Sequence, residues 1–250
     1  VLERAARITG IVMAAAALAT VQTPLDRERA RPDYRTGWQY MRVEAWAEAA
    51  AAFKQAIEID REFEDAYYSL GRANMNLKKY AEAIAAYTKA RDLYLAMIGR
   101  QFANQQEAQR HRQDRLMELD DVIRQLQSGP QNIRSQDRLR QVQEQRRQIQ
   151  EFYSRGTNLS LGNSVPAFVS LALGSAYFRS GKLVDAEREY KAAIAADPKT
   201  GEAHSNLAVV YLETGRYADA DRAVAAAEKL GLKVHPQLKK DIKDKLAKGT

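Results

Sequence analysis

Every 34 residues this chain returns to the same pattern of small and aromatic side chains. Leu173, Gly174 and Tyr177 are followed by Ala186, Tyr190, Ala193 and Pro198, and one period later by Leu207, Ala208, Tyr211, Ala220, Val224 and Ala227. Upstream, Leu70, Gly71, Ala83, Tyr87 and Ala90 fill the same slots, and one period before them Gly37, Tyr40, Ala49, Phe53 and Ala56 do so again. A unit this short cannot bury an apolar face alone, so neighbouring copies must stack and share a core. The composition sets the secondary structure: Ala, Glu, Lys, Gln and Arg dominate, and all favour helix. No stretch alternates with a period of two long enough for a sheet. The expected class is therefore all-α.

The slots of the period resemble those of the tetratricopeptide-repeat family across about Ala30–Met97 and Ala167–Leu232. That resemblance implies a right-handed α-solenoid of four repeats, each a pair of antiparallel helices. Within it, helix A of the first repeat is expected near Pro32–Arg42, with Pro32 in the opening turn, where a missing N–H costs nothing. Thr23–Arg31 then reads as a polar linker. Helix B follows near Ala45–Ile59, the second repeat uses Glu64–Asn76 and Tyr80–Met97, and the third and fourth fill 167–232. Gly37 leaves a gap that Phe53 fills. Gly231 suits a helix C-terminus. His235-Pro236 opens a last helix over 233–250, whose Leu238, Ile242 and Leu246 form the one apolar face that a capping helix needs.

Residues 98–155 depart from the family pattern. Ile98, Phe102, Gln105, Gln109, Arg112, Leu116, Leu119, Ile123 and Leu126 recur at alternating spacings of four and three, a heptad seam. After Ser128-Gly129-Pro130 the alternation resumes with Leu139, Val142, Arg146, Ile149 and Tyr153. The expected structure is an inserted antiparallel helical hairpin. It leaves and returns at one junction, so all four repeats stack as one solenoid. Gly156–Pro166 closes it as a loop.

Residues 1–24 differ in kind. Arg4 and Arg7 precede the apolar run Ile8–Ala19, and Ala17-Leu18-Ala19 is a small-x-small cleavage pattern. This order reads as a secretory signal cleaved after Ala19. A retained membrane anchor and an ordinary helix are the alternatives. The implied location is periplasmic or secreted, with membrane contact only if the segment is kept.

Catalysis finds no support in the sequence. His111, His204 and His235 are far apart, and there is no phosphate loop, metal-ligand spacing or nucleophile elbow. His204 stands in a slot for a large core residue. No cofactor is expected, and without cysteine there is no disulfide frame. A net charge of +7 suggests anionic surfaces without naming one. Arg110, Arg112, Arg115, Arg138, Arg140, Arg146 and Arg147 are interleaved with Glu107, Asp114, Glu118, Asp120, Asp121, Asp137 and Glu144, the mixed signs of a solvated helix surface, so nucleic acid is not expected.

The family resemblance implies that helix A lines a concave groove for a protein or peptide. Its slots hold Tyr34, Trp38 and Met41 in the first repeat and Tyr68, Arg72 and Met75 in the second. The third supplies Phe168, Leu171, Ser175, Phe178 and Arg179, and the fourth Glu202, Ser205, Val209, Leu212 and Glu213. Aromatics, Met and Arg are the residues enriched at interface cores. The alternative is that some of them pack between neighbouring helices. The Lys, Asn and Arg clamp by which some family members take a terminal carboxylate is absent, since Tyr34, Trp38 and Ser69 stand in its slots. Two functional readings follow: a binding scaffold of the bacterial envelope, or a homo-oligomeric spacer assembled through the hairpin.

Overall fold

A computed structural model describes residues 24–97, 105–129 and 165–248, together with 135–136, 139–140, 142–143, 146–147 and 150. Among these there is no strand. The helices are α1 (Pro24–Arg42), α2 (Trp46–Ile59), α3 (Glu64–Asn76), α4 (Tyr80–Met97), α5 (Gln105–Ser128), α6 (Ala167–Arg179), α7 (Leu183–Ala196), α8 (Gly201–Glu213), α9 (Tyr217–Lys229) and α10 (Pro236–Lys248). Successive pairs α1–α2, α3–α4, α6–α7 and α8–α9 are the four repeats. Each second helix packs on the first helix of the next pair, α2 on α3, α4 on α6 and α7 on α8. The chain is an α-solenoid, and α10 covers its end against α9.

Two devices recur in the pairs. The first, in the first three, is a glycine facing an aromatic ring, where the fourth has Ala208 and Val224. A Cβ on Gly37, Gly71 or Gly174 would fall 2.5, 2.5 or 2.8 Å from the ring of Phe53, Tyr87 or Tyr190. The absent side chain is what lets the ring fill the crossing. The second is the turn between the helices. Glu44, Lys78, Gly181 and Gly215 occupy one slot and all have positive φ, 58°, 59°, 77° and 75°. After each, an N–H reaches five residues back: Ala45 to Tyr40, Lys79 to Asn74, Lys182 to Tyr177 and Arg216 to Tyr211, at 2.8–3.0 Å. This left-handed cap satisfies the last carbonyls of the helix.

The beginning of the array differs from expectation. α1 starts at Pro24, so the segment read as a linker is helix and Pro32 lies inside it. The missing N–H at Pro32 removes one backbone bond, to the Glu28 carbonyl. Glu28 and Pro32 are both exposed, so water can serve that carbonyl. The extra turns bring Arg27 onto the second repeat. Its guanidinium pairs with Asp60, lies 3.0 Å from Glu64 and donates to the Glu62 carbonyl at 2.8 Å. It also sits 4.4 Å over the Phe63 ring.

The second and third repeats join directly although 69 residues, 98–166, separate their helices. Ala83, Tyr87, Leu173 and Ala176 form a buried cluster at the joint. Phe168 meets Tyr68 edge-on at 4.8 Å, and Arg91 pairs with the buried Glu189 at 3.1 Å. Of the intervening segment, α5 is helical, as are the described positions from 135 to 150. Leu119 and Val142 are buried, and Asp120 pairs with Arg146 at 2.6 Å. Of the expected hairpin tip only Ser128, the end of α5, and Gly129 are described; residues 130–134, 151–164 of the segment and loop that follow, and 1–23 of the expected leader over 1–24 lie outside the described residues.

The C-terminal expectations hold. Gly231 has φ 84°, and the Leu232 N–H closes a 3.1 Å bond to the Ala227 carbonyl. Ile242 is buried, with Leu238 and Leu246 packed beside it on the core of the last repeat.

Candidate binding face

The concave slots of the first repeat are filled by the chain itself. Tyr34 is 3% exposed and packs on Phe63 at 4.8 Å and Phe53 at 5.7 Å. Trp38 stands edge-on to Phe53 at 6.2 Å, and the Arg72 guanidinium covers its ring at 4.8 Å. Met41 is buried in the same cluster. Of the two readings open from the sequence, these three follow internal packing. The reason is size: large rings on α1 reach past their own pair to the start of α3, where Phe63 fills the joint.

The second and third repeats are different. Tyr68, Arg72, Met75, Phe168, Leu171 and Phe178 are all half-buried, and Arg179 is exposed. They lie on α3 and α6, whose helices touch. Tyr68 and Phe168 meet edge to face, so the two rings close the floor of the joint. Met75, Leu171 and Phe178 each pack one side on the core and keep the other accessible. Arg179 reaches 5.8 Å from the Tyr80 ring and carries the charge at the edge. The structure thus gathers a patch of apolar and aromatic surface bordered by guanidinium groups across α3 and α6. Such rings attract cations by their π-face and leave the rest of the guanidinium free to donate.

In the third repeat, the Tyr190 hydroxyl donates to the Ser175 hydroxyl at 3.3 Å, and Ser175 Oγ donates to the Leu171 carbonyl at 2.9 Å. Burial pushes Tyr190 up to about 12 and Tyr87 well above the usual phenol range. Both hydroxyls stay neutral at any ordinary pH and act as packing groups. Burial also lowers His204, so its imidazole favours the neutral form. It is half-buried, in keeping with the core slot expected for it. Among the described residues, no three of His, Cys, Asp or Glu come together as a metal site.

Sequence reasoning missed two positions on the face of α1. Arg31 and Arg35 lie one turn apart and touch α5, Arg31 at Met117 Sδ (3.6 Å) and Arg35 at Asp121 (3.2 Å). The signal was available as Arg27, Arg31 and Arg35 at intervals of four, a stripe along one side of a helix.

Family models for the tetratricopeptide repeat match residues 39–78, 64–95 and 171–231. The chain carries tetratricopeptide repeats. The repeats make it a scaffold for protein–protein contact. No curated protein matches the chain. Among solved structures, the tetratricopeptide-repeat chain is similar to PilW, a widely conserved type IV pilus biogenesis factor. The identity is 16% and the TM-score 0.42, over 88% of this chain and 87% of that one. It is also similar to TTC0263, a thermophilic repeat protein of Thermus thermophilus, at 18% identity and TM-score 0.33 over 87% and 99% of the two chains. A third is YrrB, a protein with an unusual peptide-binding site, at 18% and 0.29 over 86% and 92%. Superpositions this loose speak to neither function nor partner.

Proposed function

We propose that this protein is a non-enzymatic scaffold that holds a segment of a partner protein against the concave face of its second and third repeats, in the bacterial cell envelope. One observation carries the reading. Tyr68, Met75, Leu171 and Phe178 keep accessible apolar surface across two touching helices, while the matching first-repeat side chains are buried. A partner segment buries its own apolar side chains there, and each Å² removed from water contributes about 25 cal/mol. Arg72 and Arg179 border the patch and favour a segment carrying a carboxylate or carbonyl beside its apolar anchor. The envelope location is supported by the basic start at Arg4 and Arg7, the apolar run Ile8–Ala19 and the cleavage pattern ending at Ala19. Among the described residues no helix is long and apolar enough to cross a membrane.

The test is a photo-crosslinking amino acid placed at Phe178, with a second chain carrying it at the exposed Val184 on α7. In source-cell envelopes, an adduct with one discrete protein is expected from position 178 and not from 184. Equal adducts from both positions, or none from 178, refute the groove. Adducts containing only a second copy of the chain point instead to the homo-oligomeric spacer.

A further inference from the structure

The helix α5 does not stand clear of the solenoid. Met117 lies on Arg31 and Asp121 on Arg35, so both contacts advance by one turn in the same direction along the two helices. α5 therefore runs alongside α1 in register. Arg31 and Arg35 share a face with Trp38 and Arg42, at the spacing of successive helical turns. The family resemblance makes that the concave side of the first repeat.

We propose that α5 is a displaceable latch that closes the N-terminal end of the concave face. Asp121 is its bolt. It is 8% exposed, unusual for a carboxylate, and is held between Arg35 and its own neighbour Arg124. Arg31 is nearly as buried, beneath Met117. Met117 is 43% exposed, and the contact beside it is an ion pair whose Arg35 side chain is 55% exposed while Asp121 is nearly buried. A pair open to water on one side holds more tightly than a fully exposed pair, which is held by a factor of about two to five in population, and less tightly than a buried one, so it biases the arm closed without locking it. When the arm is closed, a partner has repeats two to four. When it lifts, the Arg31 and Arg35 face of α1 is added. This consequence for binding rests on the groove proposed above; the latch itself does not.

The chain contains no cysteine, so labels can be placed without background. Spin labels on Glu28→Cys and Gln113→Cys, both exposed, report the α1–α5 separation in the full chain by pulsed dipolar spectroscopy. The expected result is one dominant short distance at low salt. Asp121→Arg should reduce that population by at least about twofold, and adding Arg35→Asp should restore much of it, since the cross-helix pair re-forms with its charges exchanged and only Arg124 stays opposed. Absence of the short distance in the parent overturns the latch. So does a distribution that Asp121→Arg leaves unchanged, or a loss that Arg35→Asp does not repair. Because no partner is present, a failed crosslink at Phe178 would dismiss the groove and leave this result intact.

Discussion

Replacing Gly71 by alanine tests whether the repeat is held by the glycine–ring contact or by helix propensity. The two act with opposite sign. Gly71 lies inside α3, where alanine is favoured over glycine by about 1 kcal/mol. Its new methyl, however, would sit 2.5 Å from two carbons of the Tyr87 ring and 2.9 Å from a third. The ring is 2% exposed and belongs to the cluster that joins the second and third repeats, so it has little room to withdraw. Overpacking of this kind costs about 1–3 kcal/mol. The net expectation is a loss of about 0–2 kcal/mol, a drop of up to several degrees in melting temperature for a chain this size. Urea titration read by far-ultraviolet circular dichroism measures it. The decisive comparison uses Tyr87→Ala, which alone should cost about 3–5 kcal/mol as a cavity-forming aromatic truncation. In that background Gly71→Ala has no ring to meet, and only propensity remains, so it should become stabilising by up to about 1 kcal/mol. An equal loss in both backgrounds would refute the steric account.

Two further outcomes follow from the turns and the first helix. Glu44→Gly and Lys78→Gly should each raise the unfolding free energy by about 0.5–1 kcal/mol, seen as a higher urea midpoint, because these residues hold the left-handed conformation that glycine takes without strain; a fall in midpoint would count against it. Arg27→Ala should cost about 3 kcal/mol in the same assay, since it removes a cation that lies against the buried carboxylates of Asp60 and Glu64, whereas a cost within experimental error would mean other neighbours serve them equally well.

Much of this fold was legible because the repeat is written in side-chain size. Gly71 with Tyr87 and Gly174 with Tyr190 give the crossing points, and the 34-residue interval gives the order. The start of α1 was not legible. Pro32 reads as a helix opening, and what overrides it is a contact with residues some 30 positions away, Arg27 to Asp60 and Glu64, which no local pattern announces. The binding face was legible in part. The slots were placed from the period, but whether a ring in a slot faces water depends on its neighbours. Phe63 and Arg72 cover Tyr34 and Trp38, and among the described residues no comparable group covers Phe178. For the approach of α5 to α1, the spacing of Arg27, Arg31 and Arg35 shows the stripe on α1, but nothing local names Met117 and Asp121, far along the chain, as what it meets.

The joint between α4 and α6 has a meaning beyond stacking. Its two sides are surfaces of one chain that recognise each other without help from the peptide that links them. In that sense the protein carries an internal quaternary contact, with Tyr68 against Phe168 and Arg91 against Glu189 as its complementary features. The intervening segment is thereby relieved of any duty to hold the repeats together. A change in its length beyond α5 leaves the two faces that meet at this joint as they are.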